Sequence, residues 1–363
     1  MAKINMILTN GFDPDIRVYK EAKYLVEQGH KVEIFCWDRE QKYVEKQDSI
    51  VDGIRIIRYA IASQPGSGFR QLPAFFKFIK RCQKSLKSAE YDYLHCHDLD
   101  GMIVGYFAKN KTAKLIFDMH EYYESGRMEK FSFIIRPMVR FFQNKSYKII
   151  AVNNTQTQNM REENIKKLVY LPNYPEKTIL KNIEKTDSES MRITYSGYVR
   201  DYEALSALMM AAGNDSRFEV TINGDGGCYD QIELDAKHYN NVFVTGSFTH
   251  DQIADFYNNT DVSFCLYNNS DFNHKTAIAT KFFESIMFLT PLLVAKDTAM
   301  EEMCMKYNIG YGAYDTVEGI RQALDYLYQN PALIEKFREN MKKIQFNFCW
   351  ETAVKKLDEI YMS

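Results

Sequence analysis

The sequence lacks a CxxC pair: its seven cysteines (Cys36, Cys82, Cys96, Cys228, Cys265, Cys304 and Cys349) are odd in number and scattered. That pattern excludes a disulfide framework and a thiolate zinc site, and it fits a reducing cytoplasm. Long hydrophobic runs are also missing. No stretch reaches the roughly 18 apolar residues of a membrane span, and the opening "MAKINMILTNGF" is too short and too polar for a signal-peptide core. The expectation is a soluble or peripheral protein. Nor is there a surplus of one charge: 46 Lys and Arg face 48 Asp and Glu, for a net charge of -2. With no binding motif for nucleic acid, that balance excludes nucleic acid as the expected partner.

What is present is length and alternation. A chain of 363 residues with 45% hydrophobic content is too long for one compact core, so two globular domains are expected. Charge is uneven: residues 70–150 hold 15 Lys or Arg against 8 Asp or Glu, a local +7 that leaves -9 elsewhere. One face of the first domain should therefore be basic.

The short apolar runs "KINMILTN", "HKVEIFCW", "YLHCHD", "KLIFDMHE" and "YKIIAVN" read as strands, and amphipathic stretches such as "RVYKEAKYLVEQG" lie between some of them. That is the pattern of a parallel, doubly wound α/β sheet. A polar stretch with two prolines at its start, "LPNYPEKTILKNIEKTDSESM", reads as a linker. The alternation then restarts with "RITYSGYV", "FEVTINGDGG", "VFVTGSF", "DVSFCLY" and "TPLLVAK". The boundaries are a first domain over 1–172 rejoined by 345–363, a linker over 173–190, and a second domain over 191–344.

Ligands of such sheets bind beyond the carboxyl ends of the strands. The polar residues there are Asn10-Gly11, Asp98, His120-Glu121, Gly197 to Arg200, Gly224 to Gly227 and Gly246-Ser247. A second candidate is Glu284, a lone carboxylate in the apolar run "KFFESIMFLTP". Burying an unpaired carboxylate costs several kcal/mol, so Glu284 is either a half-exposed helix acid or a ligand group.

The order of these motifs resembles the GT-B-fold glycosyltransferases of family 4. "FDPDIRVYKEAKYLVEQGHKVEIFCWDRE" is similar to the family's opening, followed by "HCHDLDG", "FDMHEYY", "AVNN" and "LPNYPE". "YSGYV", "INGDGG", "VTGSF" and "TKFFESIMFLTPLLVA" fall where the family has its nucleotide-binding elements, and "FCWETAVKKLDEIY" is similar to its closing helix, which crosses back to the first domain.

The resemblance implies roles. Glu284 would accept hydrogen bonds from the ribose hydroxyls of a UDP- or GDP-sugar, for which a carboxylate offers two acceptors to a vicinal diol. Arg200 and Lys281 would meet the diphosphate, with Gly11, Gly226 and Phe248 completing the donor site; Lys281 could equally be a solvated helix lysine. The family's usual basic pair after this glycine is not reproduced in "SGYVRDYEAL". His120 would carry the chemistry beside the donor sugar, with Glu121 either orienting it or capping a helix. His95 and His97 read as structural and no metal is expected. The acidic triplets at 13–15 and 98–100 read as turn residues rather than metal-binding motifs. The family's glutamate eight positions before Glu284 is Thr276 here, with Asn273 and His274 nearby as donor-sugar candidates.

The implied reaction is sugar transfer with retention to a hydroxyl of a glycan or lipid-linked sugar, needing no cofactor beyond the nucleotide sugar itself. Apolar residues 72, 75, 76, 79, 82 and 86 are expected to face a core, leaving Lys77, Lys80, Arg81 and Lys84 outward. With Arg136 and Arg140 they suggest an anionic membrane surface or acceptor face. A non-catalytic binding partner and a nucleotide-sugar epimerase remain the alternatives.

Overall fold

The computed structural model describes residues 1–361 apart from 14, 65–66, 124–130, 158–159, 181–184, 187 and 269–271. The chain forms two compact units, Met1–Asn173 with Val354–Ser363, and Tyr174–Ala353.

The first unit is built on an eight-stranded sheet: β1 (Lys3–Leu8), β2 (Lys31–Asp38), β3 (Asp48–Val51), β4 (Ile54–Ala60), β5 (Tyr93–His97), β6 (Lys114–Met119), β7 (Lys148–Ala151) and β8 (Leu168–Tyr170). Their order is β3-β4-β2-β1-β5-β6-β7-β8, and only β3 runs antiparallel. Strands with helices on both faces are buried on both, which explains why β1, β2, β5 and β6 read as nearly unbroken apolar runs. β3 is the edge, short and largely exposed, as an edge must be to avoid pairing with other chains. The order reverses between β1 and β5, since β1 pairs in parallel with β2 on one side and β5 on the other.

Asp15 caps the helix Ile16–Glu27 by accepting from the Val18 N–H. The helices Leu72–Leu86, Asp98–Ala108 and Ser132–Lys145 share one core with the sheet, through Phe78, Cys82, Met102, Val104, Val139 and Phe142. In the first of these the expected face is rotated: Phe78 is buried, whereas Leu72 and Phe76 are exposed. The cause is the ring of Phe78 stacking on Trp37, which sets the helix phase.

The return to the first unit starts at Val354, later than the expected 345, because 345–353 stay with the second unit, where Gln345 donates to the Met287 carbonyl and the Trp350 N–H to that of Pro175. The expected closing helix is there as an unbroken helical run over 350–361, with a 3-10 segment at Val354–Leu357 between two α-helical turns. Val354, Leu357, Ile360 and Tyr361 are buried, the Tyr24 hydroxyl donates to Asp358 at 3.0 Å, and the Tyr361 hydroxyl shares a 2.8 Å hydrogen bond with His95 Nδ1.

The second unit carries β9 (Met191–Ser196), β10 (Phe218–Asn223), β11 (Val242–Gly246), β12 (Val262–Phe264), β13 (Leu292–Ala295) and β14 (Gly310–Ala313), all parallel in the order β11-β10-β9-β12-β13-β14. Its order reverses between β9 and β12, the crevice where doubly wound sheets bind ligands. The expected linker does not hang free. Ile179 is buried and Lys185 Nζ donates to the carbonyls of Tyr257 and Thr260 and to Thr290 Oγ1, pinning the segment to this unit.

Candidate functional site

In the second unit the loops leaving β9, β10 and β11 are stitched by their backbones. The Gly197 N–H donates to Asn223 O, Val199 N–H to Asp225 O, and Gly224 N–H to Gly246 O, each at 2.9–3.0 Å. Gly224 sits at φ +137°, and a Cβ there would lie 1.9 Å from Gly197 O; one on Gly226 would lie 2.4 Å from Val199 O. Gly224 and Gly226 of "NGDGG" are thus required by the close approach of two loops. That gives Gly226 a packing reason independent of any ligand.

Beneath these loops lies Lys281, on the helix Thr280–Met287. It is not the solvated helix lysine that its sequence position allowed: only 7% of it is exposed. Its Nζ stands 3.1 Å from the centre of the Tyr195 ring and 5.2 Å from that of Tyr267. It has no hydrogen-bond partner among the described residues, and a methyl group built on Gly197 would lie 3.7 Å away. Burial lowers its pKa to about 7. Two ring faces offset part of the cost of an unpaired ammonium; an anion beside Gly197 would offset the rest.

Tyr267 gathers the neighbourhood. The Arg200 guanidinium, otherwise exposed, lies 5.8 Å from its ring, and the His274 ring stacks on it at 5.3 Å while Nδ1 pairs with the Asn268 carbonyl. Thr276 turns its hydroxyl back to the Phe272 carbonyl. The side chain of Asn273 is outside the described residues. One turn after Lys281, half-buried Glu284 accepts from the Tyr257 hydroxyl at 3.2 Å, and Tyr257 also donates to the Lys281 carbonyl. Phe248 packs edge-on against Phe256. The structure therefore brings Arg200, Lys281 and His274 onto one tyrosine. Tyr195, Tyr257 and Tyr267 had no distinguishing signal in the sequence.

In the first unit, His120 leaves β6 between two carboxylates. Its Nε2 is 3.0 Å from Asp118 and its Nδ1 is 3.2 Å from Asp98. Burial opposes its charge, yet Asp118 and Asp98 hold its pKa well above the ordinary range. His120 is thus an imidazolium, and its placement suits a hydrogen-bond donor and fixed charge rather than a general base. Glu121 is exposed and makes no hydrogen bond to it among the described residues; Asp98 and Asp118 do the orienting. Asp98 is consequently more than the turn residue expected.

Asp118 is the centre of a buried network. It takes two hydrogen bonds from Arg17, one from His97 at 3.1 Å and one from His120. Burial would raise its pKa, but Arg17 and His120 hold it well below the carboxylate range. Glu21, four residues after Arg17 and 3.1 Å from it, is fully buried, and burial with the nearby Asp118 charge pushes its pKa to about 8. Burial, then His97, lowers His95 to about 3. With His95, His97 and Glu21 neutral, Arg17 and His120 balance Asp118 and Asp98. Ligand atoms of Glu21, His95, His97 and Asp118 all lie within 4.8 Å of one another, the spacing of a metal site. The Arg17 guanidinium already supplies the positive charge there, so a divalent ion would be uncompensated.

Beside Gly11, at the carboxyl ends of β1 and β2, is a pocket of about 330 Å³ lined by Asp13, Asp15, Asp38 and Glu40 among others. Its carboxylates oppose the expected role of Gly11 as a diphosphate cradle.

Residues 16–174, almost all of the first unit's leading segment, match Glycosyltransferase Family 4. The first unit thus carries a Glycosyltransferase Family 4 match, and the whole chain has the GT-B fold. No curated protein matches the chain by sequence. Among solved structures it is similar to sucrose-phosphate synthase from Thermosynechococcus elongatus, with TM-score 0.80 and 13% identity over 100% of this chain and 98% of that one. It is also similar to Anabaena Alr3699/HepE in complex with UDP and glucose, with TM-score 0.71 and 14% identity over the whole of both chains. WaaG, a glycosyltransferase involved in lipopolysaccharide biosynthesis, follows at TM-score 0.66 and 11% identity over 99% and 100%. Identities this low speak to fold.

Proposed function

We propose that the glycosyltransferase moves a sugar, with retention, from a UDP- or GDP-activated donor to a hydroxyl of a glycan or lipid-linked sugar in bacterial surface polysaccharide assembly. The observation that carries the reading is the pairing on one helix of Lys281, a buried amine with no hydrogen-bond partner among the described residues, and Glu284, a carboxylate one turn on, at the switch point between β9 and β12. A nucleotide diphosphate presents a phosphate for the first and a ribose diol for the second. HepE holds UDP and glucose, which favours UDP, and the part WaaG plays in lipopolysaccharide biosynthesis favours a surface glycan.

The leaving diphosphate would take the acceptor's proton, with Lys281 and Arg200 stabilising its charge and the His120 imidazolium hydrogen-bonding the donor sugar. His274, Thr276 and Asn273 would meet the sugar; no cofactor or metal enters this scheme. Exposed Phe76, Phe107, Phe133, Ile134 and Phe141, together with Arg136 and Arg140, support peripheral contact with an anionic membrane on its cytoplasmic face. Among the described residues no helix is long and apolar enough to cross a membrane. Thr276 in place of the family's glutamate favours a second reading, a non-catalytic binder. An epimerase shares the architecture, but the family match over 16–174 weighs against it.

The test is a thermal-shift series with UDP, GDP and their sugars on wild type and Glu284→Ala. A ligand at about a hundred times its Kd stabilises the folded state by about 2.7 kcal/mol. A shift with one nucleotide family, lost in the variant, is expected; no shift with any nucleotide sinks the donor site. Product formation from the nucleotide sugar that binds then separates transfer from mere binding.

A further inference from the structure

The first unit carries a second concavity, a groove of about 1,040 Å³ between the segment leaving β4 and one side of the helix Leu72–Leu86. Arg70, Lys77, Lys80, Arg81 and Lys84 line it, and no Asp or Glu does. All five are exposed, and none forms an ion pair among the described residues. The helix "LPAFFKFIKRCQKSL" contains no acid at all. Lys77 and Lys80, Lys77 and Arg81, Lys80 and Lys84, and Arg81 and Lys84 are three or four residues apart, where like charges meet and destabilise a helix. The chain thus concentrates four cations against the helix's own stability, with Arg70 just before it as a fifth, and none has a counter-charge in an ion pair among the described residues.

The exposed phenylalanines do not line this groove, so it is not simply the apolar face that would meet a membrane. Ser63, Gln64 and Ser67 add hydroxyl and amide groups to its wall, the partners that phosphate oxygens take up. The groove adjoins the carboxylate pocket beside Gly11 through Arg39. The Ser63 N–H donates to the Arg39 carbonyl at 3.0 Å, and Arg39 Nη1 donates to Gln71 Oε1 at 3.2 Å, just before the helix. In the pocket itself the two cations are taken, Arg39 by Asp100 at 3.5 Å and Lys42 by Glu40 at 2.6 Å. The pocket therefore repels phosphate and suits hydroxyls; the groove attracts it.

We propose that the groove is a phosphate-binding subsite of the acceptor, which places its hydroxyl-bearing sugar in the pocket beside Gly11 and its phosphate or diphosphate against Lys77, Lys80, Arg81 and Lys84. The identity of the anion's owner rests on the glycosyl-transfer reading; the anion site itself does not.

The experiment titrates inorganic pyrophosphate into the full-length protein held in excess UDP, so that the donor site does not report. The variant is Lys80→Ala/Arg81→Ala/Lys84→Ala, whose melting temperature should be unchanged or higher because repulsion is relieved. Pyrophosphate affinity should fall tenfold or more in the variant while UDP affinity stays as in wild type. Equal affinity in the two proteins, or no binding to wild type, overturns the proposal. So does a variant that stops sedimenting with phosphatidylglycerol vesicles yet keeps its pyrophosphate site, since the cations would then serve the bilayer alone. A failure of UDP to bind would count against the donor reading and leave the pyrophosphate comparison standing. Competition by a soluble hexose 1-phosphate points to a phosphorylated glycan; competition only by a short prenyl diphosphate points to a lipid-linked acceptor.

Discussion

Lys281 Nζ stands 3.1 Å from the centre of the Tyr195 ring and 5.2 Å from that of Tyr267, with no oxygen to receive its protons among the described residues. Burial keeps its pKa near 7, so at pH 8 the free protein holds it mostly neutral, and a bound diphosphate should draw a proton onto it. Calorimetry of UDP binding at pH 8 in two buffers of different ionisation enthalpy should show net proton uptake, shrinking at pH 6. Lys281→Met should abolish the uptake and weaken UDP by about tenfold to a hundredfold, the worth of one charge-assisted contact of about 1.5–3 kcal/mol. Uptake that persists in the variant would assign the proton elsewhere.

His120 is held charged by two carboxylates. Nitrogen-15 NMR should find both ring nitrogens protonated at pH 7.5. Asp98→Asn should lower the titration midpoint, because it removes one of the two charges that raise it. A neutral tautomer in wild type at pH 7.5 would contradict the imidazolium role.

Glu21 gives a stability signature. Its folded pKa of about 8 lies above the unfolded value of about 4.3. The folded state therefore binds more protons between those values, so stability is greatest below about pH 4 for this group and is lost as pH rises toward 8. Glu21→Gln, which imitates the protonated acid, should flatten that part of the denaturation profile. An unchanged slope would mean that Glu21 is ionised at neutral pH.

Gly224 is the packing test. At φ +137° with its would-be Cβ 1.9 Å from the Gly197 carbonyl, alanine has neither the conformation nor the room. Gly224→Ala should cost about 3 kcal/mol, measured by urea denaturation. The neighbouring Gly227, where a Cβ meets only the far end of Tyr198 at 3.9 Å, should tolerate alanine.

Most strands that could be read in advance were those buried on both faces, because burial leaves an unbroken apolar run; β11, an edge strand with alternating burial, was read from its β-branched and aromatic residues "VFVT". β3 and β4 escaped because "IRIIRYA" alternates charge with apolar residues on a half-exposed strand, and β14 because "GYGA" has no branched side chain to mark it. Glu284 was legible as a lone acid in an apolar helix. Asp118 was not: it reads as the polar end of a strand, and its partners Arg17, His97 and His120 are separated from it by 101, 21 and 2 positions. A spacing of four between Arg17 and Glu21, on a helix with an otherwise apolar flank, was the one available hint. The seat of Lys281 is walled by two tyrosines 86 and 14 positions away, which no local pattern connects.

The hydrogen bond between Tyr361 and His95 has a consequence for biosynthesis. Residues 174–353, 180 in all, are translated after the first unit's sheet and before the segment that seals it. At about 5–20 residues per second that is a wait of about 10–40 s, during which the side of the sheet later covered by Val354, Leu357 and Ile360 is bare. A nascent chain stalled anywhere before residue 354 should expose that apolar strip, and a chaperone that shields it would be needed longest by the half of the protein that is made first.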